Sequence, residues 1–153
     1  MSEGPADRVL DLLEEIADAL DLDADVEVAE RDGVIYGTLE GEDLGLFIGR
    51  HGQTIDAVQH LAYKAALQGE ALGPRVVIDA AGYRQRREQI LHRQADQAAS
   101  DALRGGRPVA LDAMSATERK VVHEHLKDRG DIETYSEGTE PHRHLVVAPT
   151  LNS

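Results

Sequence analysis

Gly45-Leu46-Phe47-Ile48-Gly49-Arg50-His51-Gly52 is the stretch that most restricts how this chain can fold. Apolar residues and glycines lead up to one arginine and one histidine, which Gly49 and Gly52 bracket. Glycine lets the backbone take left-handed conformations and approach a partner closely. Residues 42–48 read as one or two helical turns ending at Gly49, which suits the left-handed position after a helix. From Gln53 to about Gln68, Ile55, Val58, Leu61, Ala62 and Ala65 recur at helical spacing and predict a second helix. The tip between the two helices is therefore exposed and rich in backbone groups.

Such a tip suits a phosphodiester, which needs hydrogen-bond donors, close access and little competing negative charge. A helix start offers free backbone N–H groups, and Gly49 and Gly52 would give access. Arg50 adds a charge-assisted forked contact, and His51 adds a ring N–H donor. The plain alternative is a tight helix-to-helix turn, because isolated G-x-x-G patterns are common. The stretch is neither the dinucleotide fingerprint G-x-G-x-x-G nor a Walker loop, which needs Gly-Lys-Ser/Thr.

Upstream, Val9, Leu12, Leu13, Ile16 and Leu20 lie three and four apart and predict a helix over 5–20 with acids on its other face. Two β-prone runs, 26–30 and 34–39, flank Arg31-Asp32-Gly33 and read as a hairpin, with Gly37 as a bulge or a weak point. Downstream, Gly69 and Gly73-Pro74 break the second tip helix, and Arg75-Val76-Val77-Ile78-Asp79 reads as a short buried strand. The order through residue 79 is helix, strand, strand, short helix, tip, helix, strand.

A formal net charge of −13 argues at first against a polyanionic partner, since phosphate binding relies on Lys and Arg. The charge is unevenly distributed, however. Residues 1–43 carry 15 acids against Arg8 and Arg31, whereas residues 44–153 carry 14 of each sign. A locally basic surface beyond residue 43 is thus compatible with the total. The chain has no cysteine and no long apolar run, and residues 1–20 are too acidic for a signal peptide, so a soluble cytoplasmic protein is expected.

Residues 81–104 place Tyr83, Ile90, Leu91, Ala95, Ala98, Ala102 and Leu103 on a helix that also bears Arg84, Arg86, Arg87 and Arg93. Those arginines form either a solvated face or part of a nucleic-acid track. Residues 107–111 read as extended. Ser115-Ala116-Thr117-Glu118 matches a capping box, opening a helix to about Arg129. Two strands, 132–136 and 143–147, flank the turn-rich Glu137-Gly138-Thr139-Glu140-Pro141. On the capped helix Arg119 and His123 are four apart and share a face; they are either solvated polar residues or a pair of groups for successive phosphates.

Ile48-Gly49-Arg50-His51-Gly52-Gln53-Thr54-Ile55, in this order of elements, resembles the bacterial-type KH domain, whose GXXG loop clamps the backbone of single-stranded RNA. Arg119-x-x-x-His123 resembles the R-three-H domain, a small single-stranded nucleic-acid-binding module, and Thr134, Ser136, Gly138, Pro141 and Arg143 look like its end. The pairing over residues 5–149 resembles the Jag family, also called KhpB or EloR, with support from Gly82-Tyr83-Arg84, Arg87, Met114-Ser115 and Glu118-Arg119. The implied fold class is α+β in two small domains: a type II KH domain (α-β-β-α-α-β) over 1–79, then an R-three-H domain over 80–153 with helices against a small sheet. The implied RNA-binding residues are Gly49, Arg50, His51, Gly52, Arg119, His123 and Arg143, with bases in a shallow groove beside the tip. Many members carry a further N-terminal domain, and this sequence begins almost directly at the KH helix, so functions that depend on that domain are not expected to carry over.

The resemblance implies a non-enzymatic single-stranded RNA binder, acting as RNA chaperone or post-transcriptional regulator tied to cell-envelope and cell-shape control. A small KH-only protein is an implied partner, and the C-terminal domain could also take single-stranded DNA. A protein-protein adaptor that uses the KH fold as a scaffold, with the acidic first half making the contacts, is the alternative. Seven histidines invite a metal, yet no ligand set stands at a recognised spacing, and Ser115 reads as a cap rather than a nucleophile. No cofactor, metal or catalytic residue is expected.

Overall fold

The computed structural model describes residues 3–151, which divide after Arg84 into two compact units. In the first, α1 (Pro5–Ala19) leads to β1 (Ala24–Arg31) and β2 (Val34–Gly41). Then come α2 (Gly45–Ile48), a 3₁₀ turn (Arg50–Gly52), α3 (Gln53–Leu67) and β3 (Arg75–Ala80). The sheet order is β1-β2-β3, antiparallel between β1 and β2 and parallel between β2 and β3. Asp32 and Gly33 both have positive φ, 53° and 77°, the backbone of a two-residue hairpin turn whose twist matches the strands it joins. This explains why the Asp-Gly was a reliable turn signal.

The first core lies between the sheet and the pair α1 and α3. Val9 and Leu13 of α1, Ile35 and Leu39 of β2, Ile55 and Ala62 of α3 and Ile78 of β3 are fully buried in it. Phe47, the single phenylalanine, is fully buried with them, a burial that stabilises by roughly 1.5–3 kcal/mol and holds the four-residue α2 in place. Arg8 fastens α1 to the far end of α3, donating from Nε to the Ala65 carbonyl at 2.9 Å and from Nη2 to the Ala66 carbonyl at 2.6 Å. A cation on the last carbonyls of a helix is also favoured by the helix dipole.

Three expectations are corrected. Gly37 is neither a bulge nor a weak point: the β1–β2 ladder runs unbroken through Val28↔Gly37, and a Cβ there would meet Leu13 Cδ1 at 2.7 Å and Ile78 Cδ1 at 2.8 Å. Its missing side chain lets α1 close on the sheet. β3 is an edge strand covered on one side, with Val76, Ile78 and Ala80 inward, rather than a fully buried strand. Leu61 is 52% exposed, because the buried stripe of α3 runs through 55, 58, 62 and 66 and leaves 61 outside it.

The second unit takes in most of α4 (Tyr83–Gly105), then β4 (Val109–Ala110), α5 (Ala116–Leu126), β5 (Ile132–Glu137) and β6 (His144–Pro149). Its sheet is antiparallel in the order β4-β6-β5. Central β6 buries Leu145, Val146, Val147 and Ala148 in succession, with Leu145 and Val147 on the face that joins this unit's core. Leu91, Ala95 and Ala99 of α4 and Val122 and Leu126 of α5 complete that core. Alanine dominates the buried stripe of α4, and small side chains let neighbouring elements approach closely. Leu103, expected on this stripe, is 39% exposed.

At the start of α5, Ser115 Oγ accepts from the Glu118 backbone N–H at 3.2 Å. The other half of the expected capping box is replaced, because the Glu118 carboxylate accepts from Arg87 Nε at 2.6 Å. No helix among the described residues is long and apolar enough to cross a membrane.

Candidate nucleic-acid interface

The tip keeps Arg50 and His51 exposed and turns both glycines inward. Gly49 has φ 75° and ψ 175°, a region open essentially to glycine rather than the compact left-handed helix end expected of it. His51 (φ 55°) and Gly52 (φ 78°) are left-handed in succession, and Gly52 caps α3. A Cβ on Gly49 would overlap the Thr54 side chain, and one on buried Gly52 would meet the Tyr83 hydroxyl at 2.7 Å. The space beside both glycines is thus filled by the protein's own side chains. Glycine is needed here for backbone conformation and internal packing, while access falls to the outward residues 50 and 51.

No side chain caps the start of α3. Its first N–H groups lack partners within the helix, as at any helix start, and this end favours negative charge. Beginning at Asp56, one turn into α3 from the tip, an open groove of about 500 Å³ runs between α3 and edge strand β3, lined by Asp56, Gln59, His60 and Tyr63 from α3 and by Arg75 and Val76 from β3. Sequence reasoning had not assigned these residues. The alternation on β3 and the outward face of α3 together could have named them.

Arg84 braces one side of that groove. It donates from Nε to the Ile78 carbonyl at 2.7 Å, from Nη1 to Asp56 Oδ1 at 3.0 Å and from Nη2 to Gln59 Oε1 at 3.0 Å. Arg84 and Arg87 are therefore engaged inside the protein, by Asp56 and Glu118 respectively, and do not form a free basic track.

In the second unit, Arg119, His123 and Arg143 line one open groove of about 430 Å³ between α5, β5 and the turn before β6. Lys120, Thr134 and Ser136 line it too. Arg119 is 8% exposed, which differs from a freely presented phosphate contact. Its Nη1 donates to the Met114 carbonyl at 2.6 Å and its Nη2 to Glu140 Oε1 at 2.9 Å. His123 is exposed, with Nδ1 hydrogen-bonded to Thr134 Oγ1. Arg143 donates to the Gly138 carbonyl at 2.6 Å and so holds the β5–β6 turn. The spacing of Arg119 and His123 was legible in sequence. Lys120 was not, since adjacency on a helix does not suggest a shared groove, and neither was Glu140, a turn residue that reaches α5 only through the fold.

Among the described residues no group of three or more His, Cys, Asp and Glu side chains is placed to hold a metal ion. His142 lies in the turn before β6, and His144 is the first residue of that strand. The His144 ring lies 3.7 Å from the Glu137 carboxylate.

Two family profiles cover most of the chain. The KH domain of KhpA and KhpB matches residues 6–78, and the R-three-H domain matches residues 89–149. Proteins named RNA-binding protein KhpB align along both. This chain belongs to the KhpB family. The KhpB of Clostridium symbiosum is 33% identical over 144 residues, 93% of this chain and 65% of that protein. That of Lactiplantibacillus plantarum is 38% identical over 144 residues, 93% of this chain and 43% of that protein. For Bacillus subtilis the figures are 33% over 138 residues, 89% and 66%. The chain thus spans between 43% and 66% of the length of these three KhpB relatives. All three relatives carry the name RNA-binding protein.

Proposed function

We propose that this chain is a non-enzymatic binder of single-stranded RNA that holds one strand with two modules, a KH domain over 1–79 and an R-three-H domain over 80–153. The observation that carries the reading is the pair of exposed hydrogen-bond donors, the Arg50 guanidinium and the His51 imidazole, on a tip leading into the uncapped start of α3 and the open groove along it. The tip takes a phosphate, with backbone N–H groups and Arg50 donating, and the bases lie in the groove. Gly49 and Gly52 hold the tip in shape. In the second module His123 and Arg143, with Arg119 behind them, take another stretch of backbone. Two weak grips on one strand gain affinity from their linkage.

The names of the KhpB relatives support RNA as the ligand. The family resemblance extends the proposal to an RNA chaperone or post-transcriptional regulator in the cytoplasm, linked to cell-envelope and cell-shape control, with a small KH-only protein as partner. Single-stranded DNA is a second ligand for the C-terminal module.

Mobility-shift titrations with single-stranded RNA test the reading. Arg50→Asp with His51→Asp reverses charge on an exposed tip, so affinity drops at least tenfold while the fold is retained, and wild-type affinity falls as salt rises. RNA binding indifferent to salt and to the tip would overturn the proposal. In that event the concentration of 15 acids in residues 1–43 favours the adaptor reading, in which the first half binds a protein.

A further inference from the structure

The groove beside the tip contains one side chain whose hydrogen-bonding polarity is fixed by the fold. Gln59 Oε1 accepts from the Ile78 backbone N–H at 2.9 Å and from Arg84 Nη2 at 3.0 Å. An amide oxygen has two acceptor positions, and here both are filled. A flipped amide would set its own N–H groups against two donors, so the oxygen must lie on this side. The Nε2 group, with two hydrogens to donate, is left without a protein acceptor among the described residues, on a side chain that lines the groove.

Arg84 makes this orientation rigid. Besides Gln59 it binds the Ile78 carbonyl and Asp56, and its backbone N–H donates to Asp79 Oδ1 at 3.1 Å. The guanidinium and the edge of β3 therefore hold the amide from two directions. Asp56 lies three residues earlier on the same face of α3, its carboxylate half exposed and only one oxygen taken by Arg84. Glutamine free in both halves can pair with adenine through its oxygen and nitrogen together. Gln59 cannot, because its oxygen is already used.

We propose that Gln59 is a specificity-determining residue of the RNA groove: it donates from Nε2 to an acceptor on the edge of the base seated there, with Arg84 as the positioning residue that fixes its polarity. The proposal rests on the RNA-binding reading above and adds the position at which the strand is read. Gln59 sits seven residues into α3, about 10 Å from the tip, so the base it reads belongs to the strand that the tip holds. The groove rejects a base that turns a donor toward Gln59, because two N–H groups would then face each other without an acceptor.

Gln59→Glu tests this with little change of shape. One carboxylate oxygen still accepts from Ile78 and Arg84, while the other replaces the donor with an acceptor. Wild type and variant are each incubated with a short random-sequence single-stranded RNA pool, and the bound fraction is sequenced. Wild type shows a base preference at one position; in Gln59→Glu that preference falls by about tenfold or passes to another base. Added negative charge weakens all sequences alike and cancels from the ratio between bases. Gln59→Met, which lacks the donor without adding charge, loses the same preference, and thermal unfolding of both variants shows whether they remain folded. RNA binding by all three proteins with an unchanged base profile overturns the inference and leaves the proposed function standing. A wild-type protein that binds no RNA overturns both.

Discussion

Tyr83, at the first residue of α4, lies against Gly52, the last residue of the tip: a Cβ on Gly52 would meet its hydroxyl at 2.7 Å and its ring edge at 2.8 Å. The shape of the tip thus depends on a residue 31 positions further along the chain, beyond β3. Gly52→Ala combines this overlap with a φ of 78°, so it destabilises the first unit by about 2–4 kcal/mol. In a Tyr83→Ala background only the backbone cost remains, about 1–2 kcal/mol. Urea unfolding of the four proteins in this cycle measures the difference. Equal costs in both backgrounds would show that packing on Tyr83 is not what requires glycine there.

Gly33 and Gly37 separate two reasons for glycine within one hairpin. Gly33 has φ 77° and open space around it, so only conformation requires it, and Gly33→Asn costs less than about 1 kcal/mol because Asn tolerates left-handed backbone. Gly37 lies in ordinary strand conformation under Leu13 and Ile78. Gly37→Ala costs about 1–3 kcal/mol through overpacking. Chemical denaturation of the two variants compares them directly, and equal losses would refute the distinction.

Arg87 and Glu118 bridge α4 and α5 at 2.6 Å, each with 14% of its side chain exposed. A pair this shielded is costly to break one-sidedly, so Arg87→Ala destabilises the second unit by about 1–3 kcal/mol. Because Arg87→Ala leaves a shielded carboxylate unpaired, adding Glu118→Ala to it costs less than Glu118→Ala does alone. Strict additivity in thermal unfolding would mean that the pair contributes nothing.

Much of this was readable from spacing. The helix at 5–19, the Asp-Gly hairpin, the tip and the Ser115 cap all rest on local signals, where the residue type and its near neighbours decide the conformation. The pairing of sequence-distant residues was not readable. Glu118 looked like half of a capping box because nothing local reveals Arg87 above it, and Arg84 looked like a surface charge because Ile78, Asp56 and Gln59 meet it only once β3 lies beside α3. Leu61 misled for a related reason: an apolar residue can match helical spacing loosely and still fall outside the stripe that the sheet covers. In the site itself, the tip and the Arg119–His123 spacing were visible, whereas the groove residues and Glu140 emerge from tertiary contacts.

Glu140 is the clearest consequence of such a contact, because it sets the charge of the second groove. Its carboxylate is 61% exposed and binds Arg119, whose own side chain is only 10% exposed, so a solvent-facing anion neutralises a shielded cation. A phosphate approaching this groove competes with Glu140 for the guanidinium. Glu140→Gln removes the competitor and strengthens RNA binding by about two- to fivefold at low salt, the range expected of one partly exposed ion pair, with a smaller gain as salt rises. Arg119→Ala behaves differently from a simple contact deletion. The buried Met114 carbonyl loses its donor, so the second unit is destabilised by about 1–3 kcal/mol, whereas exposed His123→Ala costs about 1 kcal/mol or less. Binding titrations at two salt concentrations, run beside unfolding curves, separate these effects. Weaker binding by Glu140→Gln would mean that its carboxylate orders Arg119 for the ligand instead of competing with it, and unchanged binding would mean that the Arg119–Glu140 pair takes no part in holding RNA.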